Sequence, residues 1–235
     1  MARETKKVIL FIVEGPTDED AFSSVMKKLH AGRHVVFHVV HGDITADRSV
    51  NAQNAVSAVN AQVLDEMKKY GLRRTDILKI IHLTDTDGAY VPEEAILYGG
   101  VEKIAYELDA IRAPEESAIA QRNAAKASVM NKLSATGKIA ATPYRLYYLS
   151  RNLEHVLFDD MRELTKEEKM DYADAFADRY GDDPDAFVSF MTDGGFAAAG
   201  DYRETWRYIA EGTNSLHRLS NLHLALGDGA PESEA

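Results

Sequence analysis

KVILFIVEGPT, residues 7–17, is the most informative stretch of this sequence. Residues 7–13 read as a strand whose apolar part, 8–13, shows no alternation of polar and apolar residues, which is typical of a strand buried on both faces of a parallel sheet. The segment 14–16 ends this strand. Thr17 follows as a predicted N-cap, and the acidic residues behind it suit the first turn of a helix. The stretch therefore predicts a buried strand followed directly by a helix that runs to about His30.

The same alternation of elements continues along the chain. Residues 35–40 and 76–84 (DILKIIHLT) are further predicted strands, and the amphipathic segment 52–70 is a predicted helix between them. Strands that alternate with helices in this way build a parallel sheet with right-handed crossovers. The segment 145–149 (RLYYL) predicts a fourth strand. We therefore expect an α/β fold in which a parallel sheet of about four strands is flanked by helices.

The rest of the chain is predicted to be mostly helical. Residues 92–108 and 115–133 each favour a helix, and the C-terminal part favours helices interrupted at 181–184 and 194–195, where glycine and proline occur. In the segment 214–222, three leucines at a spacing of three residues predict one more amphipathic helix. We thus expect a mostly helical C-terminal region.

Composition excludes several classes of site. Hydrophobic residues make up 45% of the chain and charged residues 28%, which is the balance of a globular protein. The sequence contains no cysteine, so disulfides, thiolate metal sites and cysteine nucleophiles are excluded, and a cytoplasmic location is expected. The longest apolar run, 8–13, is far shorter than the roughly 20 residues of a membrane-spanning helix, so no membrane association is expected.

Charge is distributed unevenly along the chain. The net charge of −11 has the wrong sign for a general nucleic-acid binder. The segment 117–153, however, contains no acidic residue and six basic ones: Arg122, Lys126, Lys132, Lys138, Arg145 and Arg151. Such a segment can contact a phosphate backbone, although a solvated helix face that happens to lack carboxylates is an equally good interpretation.

Carboxylates follow two of the predicted strands. Glu14 comes directly after the first strand, and Asp85 and Asp87 come after the third. Because ligands of open α/β sheets bind outside the carboxyl ends of the strands, these three side chains are expected at one edge of the sheet. In an extended segment, residues two apart point the same way, so Asp85 and Asp87 could both reach one ion. Carboxylate oxygens, without histidine or cysteine among the ligands, favour Mg²⁺ or Mn²⁺. Each feature also has a simpler interpretation when taken alone. Glu14 could cap the following helix, and the Asp-x-Asp segment could form a plain turn.

The residues around these carboxylates resemble a known family. Val13-Glu14-Gly15 at one strand end and Asp85-Thr86-Asp87-Gly88 at another are similar to the motifs of the Toprim domain. This domain is the catalytic module of topoisomerases, bacterial primases and OLD-family (overcoming lysogenization defect) nucleases. The resemblance covers residues 7–88 and extends less closely to 154. It implies a Toprim-like, Rossmann-like sheet in which Glu14, Asp85 and Asp87 are catalytic and hold the metal ion.

The resemblance implies metal-binding roles for two further acids. The segment 14–18 looks most like the OLD-type pattern, in which an acid four residues after the first glutamate joins the metal site, and this implies a metal-binding role for Asp18. The chain has aspartate there instead of the commoner glutamate. Asn152-Leu153-Glu154 resembles the glutamate-bearing segment of OLD-like nucleases, which implies that Glu154 is a ligand of a second ion. His155 is the one histidine expected near the site, where it is a candidate general base.

With the resemblance, the chain divides into three predicted parts. Residues 5–155 form a Toprim-like catalytic core with a helical basic insertion at about 100–143, residues 156–226 form the helical C-terminal region, and residues 227–235 form a flexible tail. The sequence has no phosphate-cradling loop of the GxxxxGK[ST] or GxGxxG type, so an ATPase is expected only as a partner protein.

The expected function is Mg²⁺-dependent hydrolysis of phosphodiester bonds in DNA or RNA, with phage defence or nucleic-acid processing as the setting that the resemblance implies. Two alternatives stay open. One is nucleotidyl or strand transfer of the primase and topoisomerase kind. The other is a non-catalytic Toprim-fold protein that binds nucleic acid or a protein partner.

Overall fold

The computed structural model describes residues 8–31, 34–39 and 44–226. Eight strands are present in these ranges: β1 Val8–Val13, β2 His34–Val39, β3 Ile77–Asp85, β4 Ile96–Tyr98, β5 Ala105–Tyr106, β6 Ile111–Ala113, β7 Lys138–Ile139 and β8 Thr142–Leu149. Seven α-helices accompany them: α1 Pro16–Leu29, α2 Ala55–Tyr70, α3 Ile119–Ser134, α4 Leu153–Phe158, α5 Lys166–Tyr180, α6 Pro184–Asp193 and α7 Tyr202–Ile209.

The central sheet has the strand order β2-β1-β3-β8-β7. The first four strands are parallel, and the short β7 is antiparallel to β8. The register places Leu10 beside Ile80, and Ile80 beside Tyr144. The prediction of a mixed α/β fold, with a parallel-rich sheet flanked by helices and a helical C-terminal region, is confirmed.

Both faces of the sheet are covered at β1, which explains why this strand shows no polar alternation. Along β1, Ile9 and Phe11 face a core shared with α1, α5 and α6, whereas Leu10 and Ile12 face a second core shared with α2 and α3. All six residues of β1 are buried. Strands buried on both faces are apolar at every position because no side of the pleat reaches water.

The topology creates a crevice at the carboxyl end of the sheet. From the inner strand β1 the chain passes through α1 to β2 on one side, and then through α2 to β3 on the other side. The strand order therefore reverses between β1 and β3, with helices leaving to opposite faces. In doubly wound sheets this reversal leaves an opening at the strand ends, which is where ligands bind.

The helix predicted over 92–108 is wrong. This segment instead forms a 3₁₀ turn and the strands β4 and β5, which pair with β6 into a separate three-stranded sheet of order β4-β6-β5. Gly99 and Gly100, both with positive φ, end β4 in a conformation that a helix cannot continue through. The region expected to be a helical basic insertion therefore combines this small sheet with α3 and β7.

The C-terminal helices largely follow the prediction, with breaks between α5 and α6 at 181–183 and after α6 at 194–195. The helix predicted over 214–222 is wrong. Its start is a 3₁₀ turn, and Ser220 forms isolated β-bridges with Leu149 and Ala197. Among the helices of the described residues, none is long and apolar enough to cross a membrane. The predicted tail 227–235, the ends of the first two predicted strands at Lys7 and Val40, and the start of the 5–155 core lie outside the described residues.

Candidate metal centre

The ends of β1 and β3 are joined through one carboxylate. Glu14, the residue after β1, accepts two hydrogen bonds at its Oε1 atom: one from Thr84 Oγ1 at 2.6 Å and one from the backbone N–H of Asp85 at 2.9 Å. Both donors belong to β3. The predicted meeting of Glu14 with the Asp-x-Asp segment is therefore present at the crevice between the two strands.

Asp85, the last residue of β3, lies in surroundings that disfavour its charged form. Burial raises its pKa well above the usual range, and the neighbouring carboxylates of Glu14, Asp18 and Asp87 raise it further, while Lys126 lowers it. Each of these acids is thus near enough for its charge to act on Asp85. A divalent cation among them would relieve this repulsion.

Asp87 does not continue the extended strand, and this corrects the argument that Asp85 and Asp87 point the same way. Asp87 has a left-handed backbone with φ 47°, and its N–H donates to the carbonyl of Arg151 at 3.0 Å. Its own carbonyl accepts from Arg122 Nη2 at 2.9 Å. Its carboxylate oxygen Oδ2 accepts a hydrogen bond from Lys126 Nζ at 2.6 Å. The side chain is therefore directed by α3 rather than by the strand.

Asp18 occupies the first turn of α1 and is buried, with a relative exposure of 9%. Its Oδ2 atom accepts the N–H of Gly15 at 2.8 Å, and Gly15, not Thr17, is the N-cap residue, since Pro16 already begins the helix. Burial raises the pKa of Asp18 to about 6; the Gly15 hydrogen bond opposes this effect and the nearby charge of Glu154 adds to it.

Glu154 reaches the same end of the sheet from the start of α4, just beyond β8. It is buried to 2% exposure, and its Oε1 atom lies 3.2 Å from Lys169 Nζ on α5. Its charge acts on Asp18, so the two acids that entered through the family resemblance are neighbours. We call these five acids the carboxylate centre: Glu14, Asp18, Asp85, Asp87 and Glu154.

His155 lies beside the carboxylate centre but is buried, with an exposure of 1%. Burial and, to a smaller extent, the positive charge of Arg151 together lower its pKa to about 4. Its Nδ1 atom has no hydrogen-bond partner among the described residues. The imidazole is therefore neutral at neutral pH and retains a lone pair, as a general base requires. Its role as a base stays a prediction.

The six basic residues predicted to contact nucleic acid fall into two groups. Arg122, Lys126 and Arg151 surround the Asp87 turn: Arg122 binds the Asp87 carbonyl, and the guanidinium of Arg151 lies 5.1 Å from the ring centre of Tyr106. Lys126 and Arg151 are buried. The other three residues are exposed on the last turns of α3 and on the adjoining strands: Lys132, Lys138 and Arg145. The predicted basic segment is thus not one continuous surface.

Sequence reasoning missed the part that Lys126 and Lys169 play at the carboxylate centre. A signal for Lys126 was present in the spacing of α3, whose buried side chains include Ile119, Asn123, Lys126, Met130 and Leu133. This spacing of four and three residues marks the core-facing stripe of a helix. A lysine and an asparagine inside such a stripe require buried polar partners, and the carboxyl end of β3 supplies them. Nothing in the sequence around Lys169 indicated its contact with Glu154.

The donor set fits a hard divalent ion, although the side chains are not arranged as a finished coordination shell. In the part of the chain that the structure describes, no three or more histidine, aspartate or glutamate side chains are positioned to hold a metal ion. The acids present offer carboxylate oxygens alone, which Mg²⁺ and Mn²⁺ prefer. Burial raises the pKa of Asp85, and the charges of the neighbouring acids raise it further. Side-chain rotation would have to complete the shell.

Comparison with protein-family models, with curated proteins and with solved structures finds no match to this chain.

Proposed function

We propose that this protein is a Toprim-type nuclease, closest in motif to the OLD-family enzymes, that hydrolyses phosphodiester bonds in DNA or RNA with Mg²⁺ or Mn²⁺. The observation that carries the proposal is the junction of β1 and β3, where Glu14 accepts the N–H of Asp85 and three acids raise the pKa of Asp85. A set of acids held together at a ligand-binding crevice, against their mutual repulsion, favours a cationic ligand.

In this proposal Glu14, Asp85 and Asp87 hold the ion, with Asp18 and Glu154 completing the negative field around it. When bound, the ion supplies positive charge to the phosphoryl oxygens and to the leaving oxygen. Arg122 orients the Asp87 turn through its hydrogen bond to the carbonyl. An ATPase or a phage-defence protein as partner, and a cytoplasmic location, belong to the same proposal and rest on the family resemblance.

A second candidate function is non-catalytic binding of nucleic acid or of a protein partner. The acids of the carboxylate centre do not form a finished coordination shell in the described residues, which favours a non-catalytic role. The net charge of −11 favours a protein partner over nucleic acid. Nucleotidyl or strand transfer, the other alternative, has no structural observation in its favour.

Cleavage assays on labelled linear and circular DNA and RNA test the proposed activity. The wild-type protein is expected to cut with Mg²⁺ or Mn²⁺ and to be inactive in EDTA. Asp85→Asn and Glu14→Gln remove charge from the centre and should abolish cleavage, whereas Asp178→Asn, an exposed aspartate of α5, serves as the matched control. If every substrate survives while metal and nucleic acid still bind, the non-catalytic candidate replaces the nuclease.

The exposed basic group gives a separate test of nucleic-acid binding. Lys132, Lys138 and Arg145 are exposed, so their contacts with phosphate should show as a salt dependence. For single strands, the slope of log K against log[salt] is expected to fall by about 0.7 for each phosphate that the protein no longer neutralises. Lys132→Glu should flatten the slope and weaken binding equally across sequences, because phosphate contacts carry no base information. A wild-type affinity that does not change with salt contradicts this part of the proposal.

A further inference from the structure

Lys126 is the most deeply buried cation near the carboxylate centre. Its relative exposure is 0%, and its Nζ atom lies 2.6 Å from Asp87 Oδ2. It belongs to the core-facing stripe of α3, between the buried residues Asn123 and Val129. Because the neighbouring turns pack against the sheet, the ammonium group cannot move into solvent without opening this packing.

The position of this ammonium group is informative because burying a charge is costly unless opposite charge surrounds it. The surroundings of Lys126 meet that condition: Asp87 contacts it directly, and its field acts on Asp85 as well. Lys126 therefore supplies a fixed positive charge at the edge of the carboxylate centre, whether or not an ion from solution is bound.

The opposite flank of the centre repeats the arrangement more loosely. Glu154, which the family resemblance assigns to a second ion, lies 3.2 Å from Lys169 Nζ. The side chain of Lys169 is 37% exposed, so this lysine can swing into solvent while Lys126 cannot. Asp87 and Glu154 are thus each paired with a lysine, and of these two lysines Lys126 is the fully buried one.

We propose that the carboxylate centre takes one divalent ion and that the ammonium group of Lys126 is its permanent second cation. The inference rests on the proposed function and specifies its metal requirement. In two-metal sites the ions stand roughly 3.5–4 Å apart and share carboxylates. A second ion shared through Asp87 would meet the ammonium at close range, and the repulsion between the two cations disfavours it. Lys126 acts here as a positioning residue, which holds Asp87 through its Oδ2 atom.

Counting bound ions tests this inference directly. Calorimetric titration with Mg²⁺ and spin-resonance titration with Mn²⁺ are expected to give one ion per wild-type chain. Lys126→Met removes the charge at similar length, so Asp87 is released and the count should rise to two. Lys126→Gln, which can still donate a hydrogen bond to Asp87, should also give two. Lys68→Met, which makes the same change at an exposed lysine of α2, is the matched control and should stay at one.

The outcomes of this experiment separate the two proposals. Two ions on the wild-type chain overturn the role of Lys126 while leaving the metal-dependent function intact. A count that stays at one in Lys126→Met and Lys126→Gln, with folded protein confirmed by circular dichroism, overturns it as well. If Lys126→Met does not fold, the ion counts of Lys126→Gln and of the wild-type protein still test whether Lys126 takes the place of a second ion. No ion on the wild-type chain overturns the proposed function and this inference with it.

Discussion

Two lysine–carboxylate ion pairs of this molecule lie in very different surroundings. At the carboxyl end of the sheet, Lys126 and Asp87 are 2.6 Å apart, with side-chain exposures of 0% and 35%. On the outer surface, Lys103 and Glu163 are 3.8 Å apart, with exposures of 80% and 79%. In the outer pair, water screens both charges, so the contact contributes little to stability. In the inner pair, protein atoms replace water around the ammonium, so loss of one partner leaves a poorly solvated charge.

The difference shows where charge matters in this chain. The acids of the carboxylate centre act on one another's pKa because little water separates them, whereas water surrounds both Lys103 and Glu163. Substitutions at the inner region should therefore change metal binding, stability and pH dependence together. The same substitutions on the outer surface should change none of them.

The largest expected effect is on metal affinity. Asp85→Asn removes the charge that lies among Glu14, Asp18 and Asp87, and we expect Mg²⁺ affinity to fall by at least about 100-fold, or roughly 2.7 kcal/mol. Without metal, stability at pH 7 should stay the same or rise, because a carboxyl whose pKa is raised destabilises the fold when it ionises. Calorimetry and thermal unfolding measure both quantities. Unchanged Mg²⁺ affinity would show that the carboxylate centre is not where the ion binds.

The next effect sharpens the comparison of the two lysines. Lys126→Met leaves Asp87 without its ammonium partner and makes the field on Asp85 more negative. We expect the free energy of unfolding to fall by about 2–3 kcal/mol. This loss is smaller than that for a fully buried ion pair, because Asp87 is partly exposed. Urea unfolding without metal measures this loss. A loss no larger than that caused by the same substitution at a surface lysine would contradict the burial of Lys126.

A smaller effect concerns pH. The pKa of Asp18 is raised to about 6, so between pH 3.8 and 6 the folded state binds more protons than the unfolded state, and stability falls as pH rises through this window. Asp18→Asn, which can still accept the Gly15 N–H, should remove this dependence and gain up to about 3 kcal/mol at pH 7, since each pKa unit corresponds to about 1.4 kcal/mol. Urea unfolding from pH 4 to 8 without metal checks the sign. A mutant that is less stable at pH 7 would refute it.

The smallest effect is expected on the outer surface. Lys103→Met breaks the pair with Glu163 and should change the free energy of unfolding by less than about 0.5 kcal/mol. It uses the same substitution as Lys126→Met, so it corrects for any general effect of exchanging lysine for methionine. Equal losses in the two variants would break the comparison between the regions.

Local sequence determined the layered core of this protein. The run that became β1 is apolar at every position and the run that became β3 is mostly apolar, and such runs identify buried strands without any knowledge of their partners. The crossover rule then places Glu14 and Asp85 at the same end of the sheet. This much of the candidate site follows from the chain alone.

The small sheet could not be derived in the same way. Ile96 and Ile111 pair across a loop that contains Gly99 and Gly100, and this pairing overrides the helical periodicity that the segment 92–108 shows. The residues have no strong local preference, so their partner decides the element. The glycine pair was a local signal against a helix.

Only tertiary structure decided which side chains share the same surroundings. Leu216, Leu219 and Leu222, at the spacing of one helix face, pack into three different hydrophobic clusters. Lys126 lies in a segment that is typical of a solvated basic face, yet the packing of α3 against the sheet buries its ammonium group on Asp87. Periodicity reports which residues of one element face the same way. What they face is fixed by where the other elements pack, and that depends on contacts between residues distant in sequence.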